Sequence, residues 1–388
     1  MPRRSMVFAA ACIGMLFFGV ALLSMGALLP AIAERFSLDG VQSGALVSLL
    51  PFGVLAGSVV FGPVVDRFGY RLLLAAGALL MIAGLEALAF ASSLAWLRTA
   101  IVAIGVGGGI LNGGTNALVA DISAGERGAQ LSLLGVFFGL GALGMPVLLG
   151  TMQGLSYALV LSRIGVVLLA PVIFLVVIEY PRPKQAQGFP LAKGVGLLGD
   201  GTLLLIAFTL ALQSGLEGAV NNWSTTYLQS ARHSAARDAL LALSAFVGGM
   251  TVARLALAGI LRRLSGGRVI YLGMALTAAG IGMLGVAPSA GVAAAGLAVM
   301  GVGLAAAFPL LLGYVADLYP TLSGTAFSVA LAIALLGNMG INDVAGVVAD
   351  RAGIAALPLL LGVCLLLQLA LAAAALRAFE RRTRATGS

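Results

Sequence analysis

Charge is what this chain lacks most. Only 9% of its 388 residues are Asp, Glu, Lys or Arg, and 61% are apolar. A water-soluble domain carries about 25% charged residues, so this chain could not clothe its own surface in water and its solvent is expected to be lipid. Cysteine is nearly missing as well. Cys12 and Cys364 both lie inside apolar runs, where a thiol is a small packing group and not half of a disulfide or part of a metal site. The single histidine, His233, falls in an expected loop, which leaves no histidine-based metal centre. The glycine-rich stretch Gly105-x-Gly107-Gly108 lies inside an apolar run with no strand before it and no Lys-Ser/Thr after it, so it is not a nucleotide loop. No nucleophile–base pair is visible either. These absences argue against an enzyme, against any cofactor and against ATP as the energy source.

What the chain has is apolar length. Runs fall at about 7–33, 41–65, 71–92, 96–120, 128–152 and 157–179. A polar stretch from Pro181 to Lys193 follows, and then six more runs at about 200–228, 239–261, 268–287, 290–316, 324–349 and 353–377. A helix needs about 20 apolar residues to cross roughly 30 Å of hydrocarbon. Runs this long are helices and not barrel strands, because only helices or closed barrels satisfy their backbone in lipid. The start, Met1-Pro2-Arg3-Arg4 before an apolar run, imitates a signal peptide, with Ala31-Ile32-Ala33 as a cleavage site. The run is far longer than a signal peptide's core of about 7–15 residues, so it is expected to be an uncleaved first span. The sequence therefore predicts an all-α integral membrane protein of twelve spans. A six-helix bundle is expected over 1–180, a cytoplasmic linker over 181–199 and a second six-helix bundle over 200–388.

The net charge of +8 raises nucleic acid as a partner, and its placement removes it. The basic residues sit in short connections and not on one polar face. With the N-terminal side taken as inside, 15 of the 22 Lys and Arg fall in inside segments and four, Arg35, Arg232, Arg237 and Arg351, in outside loops. That asymmetry places both termini in the cytoplasm. The two halves also repeat. Gly105-Val106-Gly107 matches Gly301-Val302-Gly303, Val119-Ala120-Asp121 matches Val315-Ala316-Asp317, and Gly128 matches Gly324, all 196 residues apart. Gly62 and Arg71 match Gly259 and Arg268 at 197. A shared offset implies two halves in parallel orientation about an axis along the membrane normal.

The loop between spans 2 and 3 reads Gly62-Pro63-Val64-Val65-Asp66-Arg67-Phe68-Gly69-Tyr70-Arg71. It resembles the signature of the major facilitator superfamily, with Tyr70 in place of the usual basic residue. The resemblance implies a gate in which Gly62, Asp66, Arg67, Gly69 and Arg71 dock against span 11 and stabilise the outward-open state; without it, the loop would merely turn the chain and set topology. A narrower resemblance is to the fucose–proton symporter family. Gly109-Ile110-Leu111-Asn112-Gly113-Gly114-Thr115-Asn116, Glu217 to Tyr227, and Gly324-Thr325-Ala326-Phe327-Ser328 continuing to Gly337-Asn338-Met339 carry it. It implies import of hexoses or deoxyhexoses with protons or sodium. Here span 1 has no acid before Glu34 and span 4 none before Asp121, so a coupling carboxylate must lie elsewhere.

A charge at the bilayer centre costs at least about 2.5–3.5 kcal/mol, so Glu86, Glu217 and Asp343 are candidates. Gln213, Glu217 and Asn221 have i, i+4 spacing and share a helix face, with Asn222 beside them and Trp223 and Tyr227 further out. Amides and a carboxylate suit the hydroxyls of a sugar, and an aromatic plate suits its C–H face. The competing reading is a structural bond between halves, with Trp223 and Tyr227 as interfacial anchors. Asn112 and Asn116 in span 4, and Asn338 and Asn342 in span 11, repeat the four-residue spacing. They are either solute ligands or glue between helices. Glu217 and Asp343 are the ion-coupling candidates. Glu86 is expected to pair with Arg98, Arg254 to neutralise a carboxylate toward the cytoplasmic side, and Arg163 to matter if the solute is an anion. Pro146 and Pro309 are candidate kinks.

The expected function is alternating-access transport of a small polar solute, most simply a sugar, across the cytoplasmic inner membrane by a monomer, driven by a proton or sodium gradient. Export of amphipathic drugs is the rival among transporters. A receptor or scaffold that moves nothing is the rival of another class.

Overall fold

The computed structural model describes residues 4–38, 40–151, 157–185 and 191–386. Among them the chain is helical throughout. The first six long helices are α1 (Arg4–Phe36), α2 (Gly40–Phe68), α3 (Tyr70–Ala89), α4 (Leu94–Ile122), α5 (Arg127–Thr151) and α6 (Tyr157–Val177). A short helix α7 (Leu191–Gly196) follows, starting at the end of the polar stretch. Then come α8 (Gly201–Arg232), α9 (Ala236–Leu261), α10 (Gly266–Val286), α11 (Ala290–Leu304), α12 (Ala307–Leu318), α13 (Ser323–Ala352) and α14 (Leu357–Thr386). Eleven helical stretches among the described residues are long and apolar enough to cross a membrane, with α11 and α12 together making one of them. The remaining expected span is α5, whose 25 residues reach about 37 Å at 1.5 Å per residue.

Two details differ from the run pattern. The run at 290–316 is two helices, interrupted at Ala305 and Ala306. Pro309 explains the break: its ring has no N–H to give and clashes with the carbonyl four residues back, that of Ala305. The last three residues of the polar stretch, Leu191 to Lys193, begin a helix, α7.

The chain forms two compact units. Unit 1 comprises Met1–Ala124, Leu134–Val195 and Tyr319–Ser328; unit 2 comprises Gly125–Leu133, Gly196–Leu318 and Val329–Ser388. Their borders depart from a single cut in the linker at two places. The first turn of α13 belongs with unit 1, and the first turns of α5 with unit 2.

Inside each unit the same neighbours recur. In unit 1, α4 packs on α1, α2 and α3, and α3 on α6; in unit 2, α11 packs on α9 and α10, α12 on α8, and α10 on α14. The repeated Gly-Val-Gly explains how. Residues two apart in a helix point about 200° apart, so each glycine meets a different neighbour. A β-carbon on Gly105 would stand 2.6 Å from the Leu50 carbonyl oxygen of α2, and one on Gly107 2.6 Å from the Gly77 carbonyl oxygen of α3. In unit 2, a β-carbon on Gly301 would collide with the Phe246 carbonyl of α9, and one on Gly303 would stand 2.5 Å from the Gly273 carbonyl of α10. Small residues let the backbones touch where lipid supplies no hydrophobic drive between helices. Large apolar side chains stand exposed on α6 and α14, among them Val166, Ile173, Val177, Leu359 and Leu366, as a lipid-facing surface requires; Arg163 is an exposed charge within α6.

Candidate functional site

In unit 2 the polar residues of α8 and α13 meet across a contact made of small side chains. A β-carbon on Gly218 would lie 2.5 Å from Asn338 Nδ2 and 2.8 Å from Asn342 Nδ2, and one on Gly337 2.4 Å from Ala211 Cβ. The two asparagines therefore rest on the backbone of α8. Asn222 donates to Asn342 Oδ1 at 2.9 Å, Asn342 to the Asn338 carbonyl at 2.9 Å, and Asn338 to the Ser214 carbonyl at 2.6 Å. This is one chain of amides, and such chains polarise one another. It starts at the exposed Asn222 and ends half-buried.

Glu217 lies beside this ladder and faces α9. Its carboxylate stands 3.8 Å from an Arg254 guanidinium nitrogen, with side-chain exposures of 24% and 13%. Both residues lie inside membrane-crossing stretches, where each charge cancels much of the cost of the other. The carboxylate that Arg254 neutralises is thus Glu217 itself. Asn221 donates to the Glu217 main-chain carbonyl at 2.9 Å, and the Arg254 carbonyl accepts from Ser132 Oγ at 3.1 Å. Asp343 is exposed on α13. The expected Glu86–Arg98 pair does not form among the described residues: Glu86 packs against Gly165 of α6, while Arg98 is exposed near the start of α4.

Two expected ligands are used up in packing. Gln213 is 1% exposed; it donates to the Leu304 carbonyl, at the break between α11 and α12, at 2.8 Å and accepts from Gln368 of α14 at 2.6 Å. Tyr227 is 2% exposed; it donates to the Leu284 carbonyl at 3.2 Å and accepts from Arg232 Nε at 3.0 Å. Arg232 also donates to the Gly285 carbonyl, which closes the end of α10. Trp223 is half-buried, its ring against Gly346. In unit 1, Asn112 and Asn116 are buried, and Asn116 donates back to the Asn112 carbonyl at 2.8 Å and to its side-chain oxygen at 3.1 Å.

The loop after α2 makes the densest polar cluster of unit 1. Asp66 is 2% exposed and sits over the start of α13. It accepts from Gly324 N at 3.2 Å, Thr325 N at 2.8 Å and Thr325 Oγ1 at 2.7 Å. A carboxylate at a helix N-terminus satisfies orphan N–H groups and meets the positive end of the dipole. Gly62 lets the two backbones touch, since a β-carbon there would lie 2.4 Å from the Gly324 carbonyl; its N–H donates to Ser328 Oγ at 2.9 Å. Gly69 has φ +82°, a conformation that favours glycine, and so turns the chain from α2 into α3. Arg71 donates to the Ile178 carbonyl at 3.0 Å. Arg67 stays exposed over the Phe68 ring. Tyr70, where the family signature carries a base, donates to Asp121 at 2.5 Å.

Sequence reasoning passed over several partners in this cluster. Asp121 also accepts from Ser323 Oγ at 2.9 Å and from Lys184 at 2.6 Å. Gln185 donates its N–H to the Asp66 carbonyl at 2.8 Å and its side chain to the Thr321 carbonyl at 3.1 Å. The repeat that pairs Asp121 with Asp317 was the available signal for the aspartate; nothing in the spacing points to Lys184. In unit 2, a cleft of about 550 Å³ occupies the matching place at the start of α5, lined by Glu126, Arg127, Arg262, Ser265, Tyr314 and Asp317 among others.

Long apolar helices in two compact units, with an ion pair inside the spans, mark an integral membrane protein. A sequence profile of the Major Facilitator Superfamily matches residues 7–340, and the chain belongs to that superfamily. An uncharacterised MFS-type transporter of Burkholderia mallei is 28% identical over 344 residues, covering 84% of this chain and 81% of the relative. An uncharacterised transporter of Sinorhizobium fredii is 24% identical over 76% of this chain and 79% of its own. Among solved structures, the E. coli fucose:proton symporter superposes with a TM-score of 0.78 at 18% identity, covering 95% of this chain and 98% of that one. A human organic anion transporter gives 0.77 at 19%, covering 96% and 100%. The fold is therefore that of a transporter, and it does not by itself select a solute.

Proposed function

We propose that this transporter carries a small polar solute, a sugar in the first instance, across the cytoplasmic membrane by alternating access, with both termini inside. We further propose that Glu217 ties the movement to a proton or sodium gradient. The Glu217–Arg254 pair carries the reading. Neutralising Glu217 with a proton leaves Arg254 charged inside a span without its partner. An unpaired charge there is costly, so the protonated protein favours an arrangement in which Arg254 finds another acceptor. A site whose occupancy favours one conformation is what coupling requires. The amide ladder from Asn222 to Asn338 offers paired donors and acceptors beside it, the chemistry that hydroxyls match. The likeness to the fucose:proton symporter supports the sugar; the nearly equal likeness to an organic anion transporter keeps an anion or amphipathic solute as the second reading.

Counterflow in proteoliposomes against a panel of hexoses, deoxyhexoses and pentoses, with a proton gradient, a sodium gradient or neither, tests the proposal. At least one sugar is expected to exchange, and one gradient to drive its accumulation. Glu217→Gln is expected to keep exchange and abolish gradient-driven accumulation. Accumulation by that variant with only a small change in affinity overturns the coupling site, and exchange of organic anions but of no sugar overturns the solute.

A further inference from the structure

We propose that Lys184, in the segment after α6, is a positioning residue of the gate: it supplies the cation that holds Asp121 on the first turn of α13, while Gln185 straps the same turn to the end of α2. The proposal rests on the reading of this junction as a gate of an alternating-access transporter.

The geometry is a closed set of bonds. Lys184 Nζ donates to Asp121 and to Ser323 Oγ, and Ser323 Oγ donates to Asp121. The side chains are 25% and 10% exposed for Lys184 and Asp121, so water screens the charges little. Two carboxylates converge on one helix start, Asp66 on the Gly324 and Thr325 N–H groups and Asp121 on Ser323. Among the described residues, Lys184 is the basic side chain hydrogen-bonded in this cluster; Arg71 is spent on the Ile178 carbonyl and Arg67 lies over Phe68. Gln185 adds a bond to α2 through the Asp66 carbonyl and one to Thr321 just before α13. Two consecutive residues thus tie together the ends of α2 and α4 and the start of α13.

The internal repeat shows what Lys184 replaces. A shift of 196 residues carries Asp121 to Asp317 and Ser323 to Arg127. In unit 2 those two residues pair directly, Arg127 with Asp317. There the cation grows from the helix start itself. Unit 1 has a serine at that place, and the positive charge comes from the connecting segment, which has no second copy. The connector is therefore part of the gate in one unit only, and a change in it is felt at the start of α13.

Hydrogen–deuterium exchange on the purified full chain tests this without any solute, so its outcome is separate from the sugar reading. Lys184→Met is expected to speed exchange across 323–328 about tenfold, the loss of a charge-assisted tie, while 266–286 in α10 is unchanged. Lys184→Arg is expected to stay near the parent. Lys184→Met added to Asp121→Asn is expected to add little, because the two act as one unit. Unchanged exchange in Lys184→Met, equal acceleration in both segments, or failure of Lys184→Arg to restore protection overturns the proposal. If Lys184→Met cannot be purified folded, Gln185→Ala decides the matter: a rise in exchange confined to 319–328 supports the strap, and no rise overturns it.

Discussion

The starts of α13 in unit 1 and α5 in unit 2 occupy equivalent positions of one internal repeat, yet they are finished differently. The start of α13 is capped by Asp66, touched by Gly62 and tied by Asp121 and Lys184. At the start of α5, the residue equivalent to Asp66 is Arg263, an exposed base that cannot accept from helix N–H groups. A cleft of about 550 Å³ lies there instead, and Gly128 packs on Leu310. Arg127 pairs with Asp317 there, at 19% and 41% exposure. A duplicated scaffold therefore carries one tight junction and one looser one. Substitutions at matched positions should accordingly have unequal effects.

The largest difference is expected for Asp66→Ala against Arg263→Ala. Removing Asp66 strands two N–H groups and a hydroxyl in a buried place, and each unsatisfied group costs about 1–3 kcal/mol. A net loss of about 3 kcal/mol corresponds to roughly a hundredfold faster exchange over 323–328. Arg263→Ala removes an exposed side chain and is expected to change exchange at the start of α5 by less than about 0.5 kcal/mol. Equal effects would end the asymmetry.

Next comes Gly62→Ala against Gly259→Ala. A methyl at Gly62 would lie 2.4 Å from the Gly324 carbonyl and 2.5 Å from Ser328 Oγ, whereas nothing lies within 4 Å of one at Gly259. The first should cost about 1–3 kcal/mol through overpacking. The second should stabilise by up to about 1 kcal/mol, because alanine suits a helix better than glycine. Thermal unfolding of the two purified variants reads the sign directly.

Much of this was legible beforehand, for reasons that also mark the limit. Lipid imposes run length on every span, so twelve runs announce the helices. Duplication fixes an offset, so the Gly-Val-Gly pair announces that two neighbours approach closely. The junction at the end of α2 showed through Gly62, Asp66 and Gly69 because a close approach, a cap and a left-handed turn each demand particular residues. Side-chain destinations did not show. Four residues overshoot a helical turn by about 40°, so Gln213 and Glu217, alike in spacing, end on different neighbours: Leu304 and Gln368 for one, Arg254 for the other. Tyr227 looked like an aromatic plate and is a buried donor to α10, because the end of α10 and Arg232 arrive there from elsewhere in the chain. Lys184 lies in a polar connector, where a base looks like topology, and only three dimensions bring it to Asp121.

The smallest expected effect separates the two aspartates of the repeat, Asp121 and Asp317, by salt as well as by size. Asp317→Asn removes a pair that water reaches, and exposed pairs contribute about 0.2–1 kcal/mol. Screening shortens from about 10 Å at 0.1 M salt to about 3 Å at 1 M, so what little Asp317→Asn costs should vanish at high salt. Asp121 is 10% exposed and accepts from Tyr70, Ser323 and Lys184. Losing it disturbs hydrogen bonds as well as charge, and hydrogen bonds are not screened. Asp121→Asn should therefore keep most of its effect on exchange over 323–328 at 1 M salt, while Asp317→Asn becomes indistinguishable from the parent over 127–133. If Asp317→Asn proved as costly as Asp121→Asn, and equally resistant to salt, the junction in unit 2 would be as firmly held as that in unit 1, and the division into a tight and a loose junction would have to be given up.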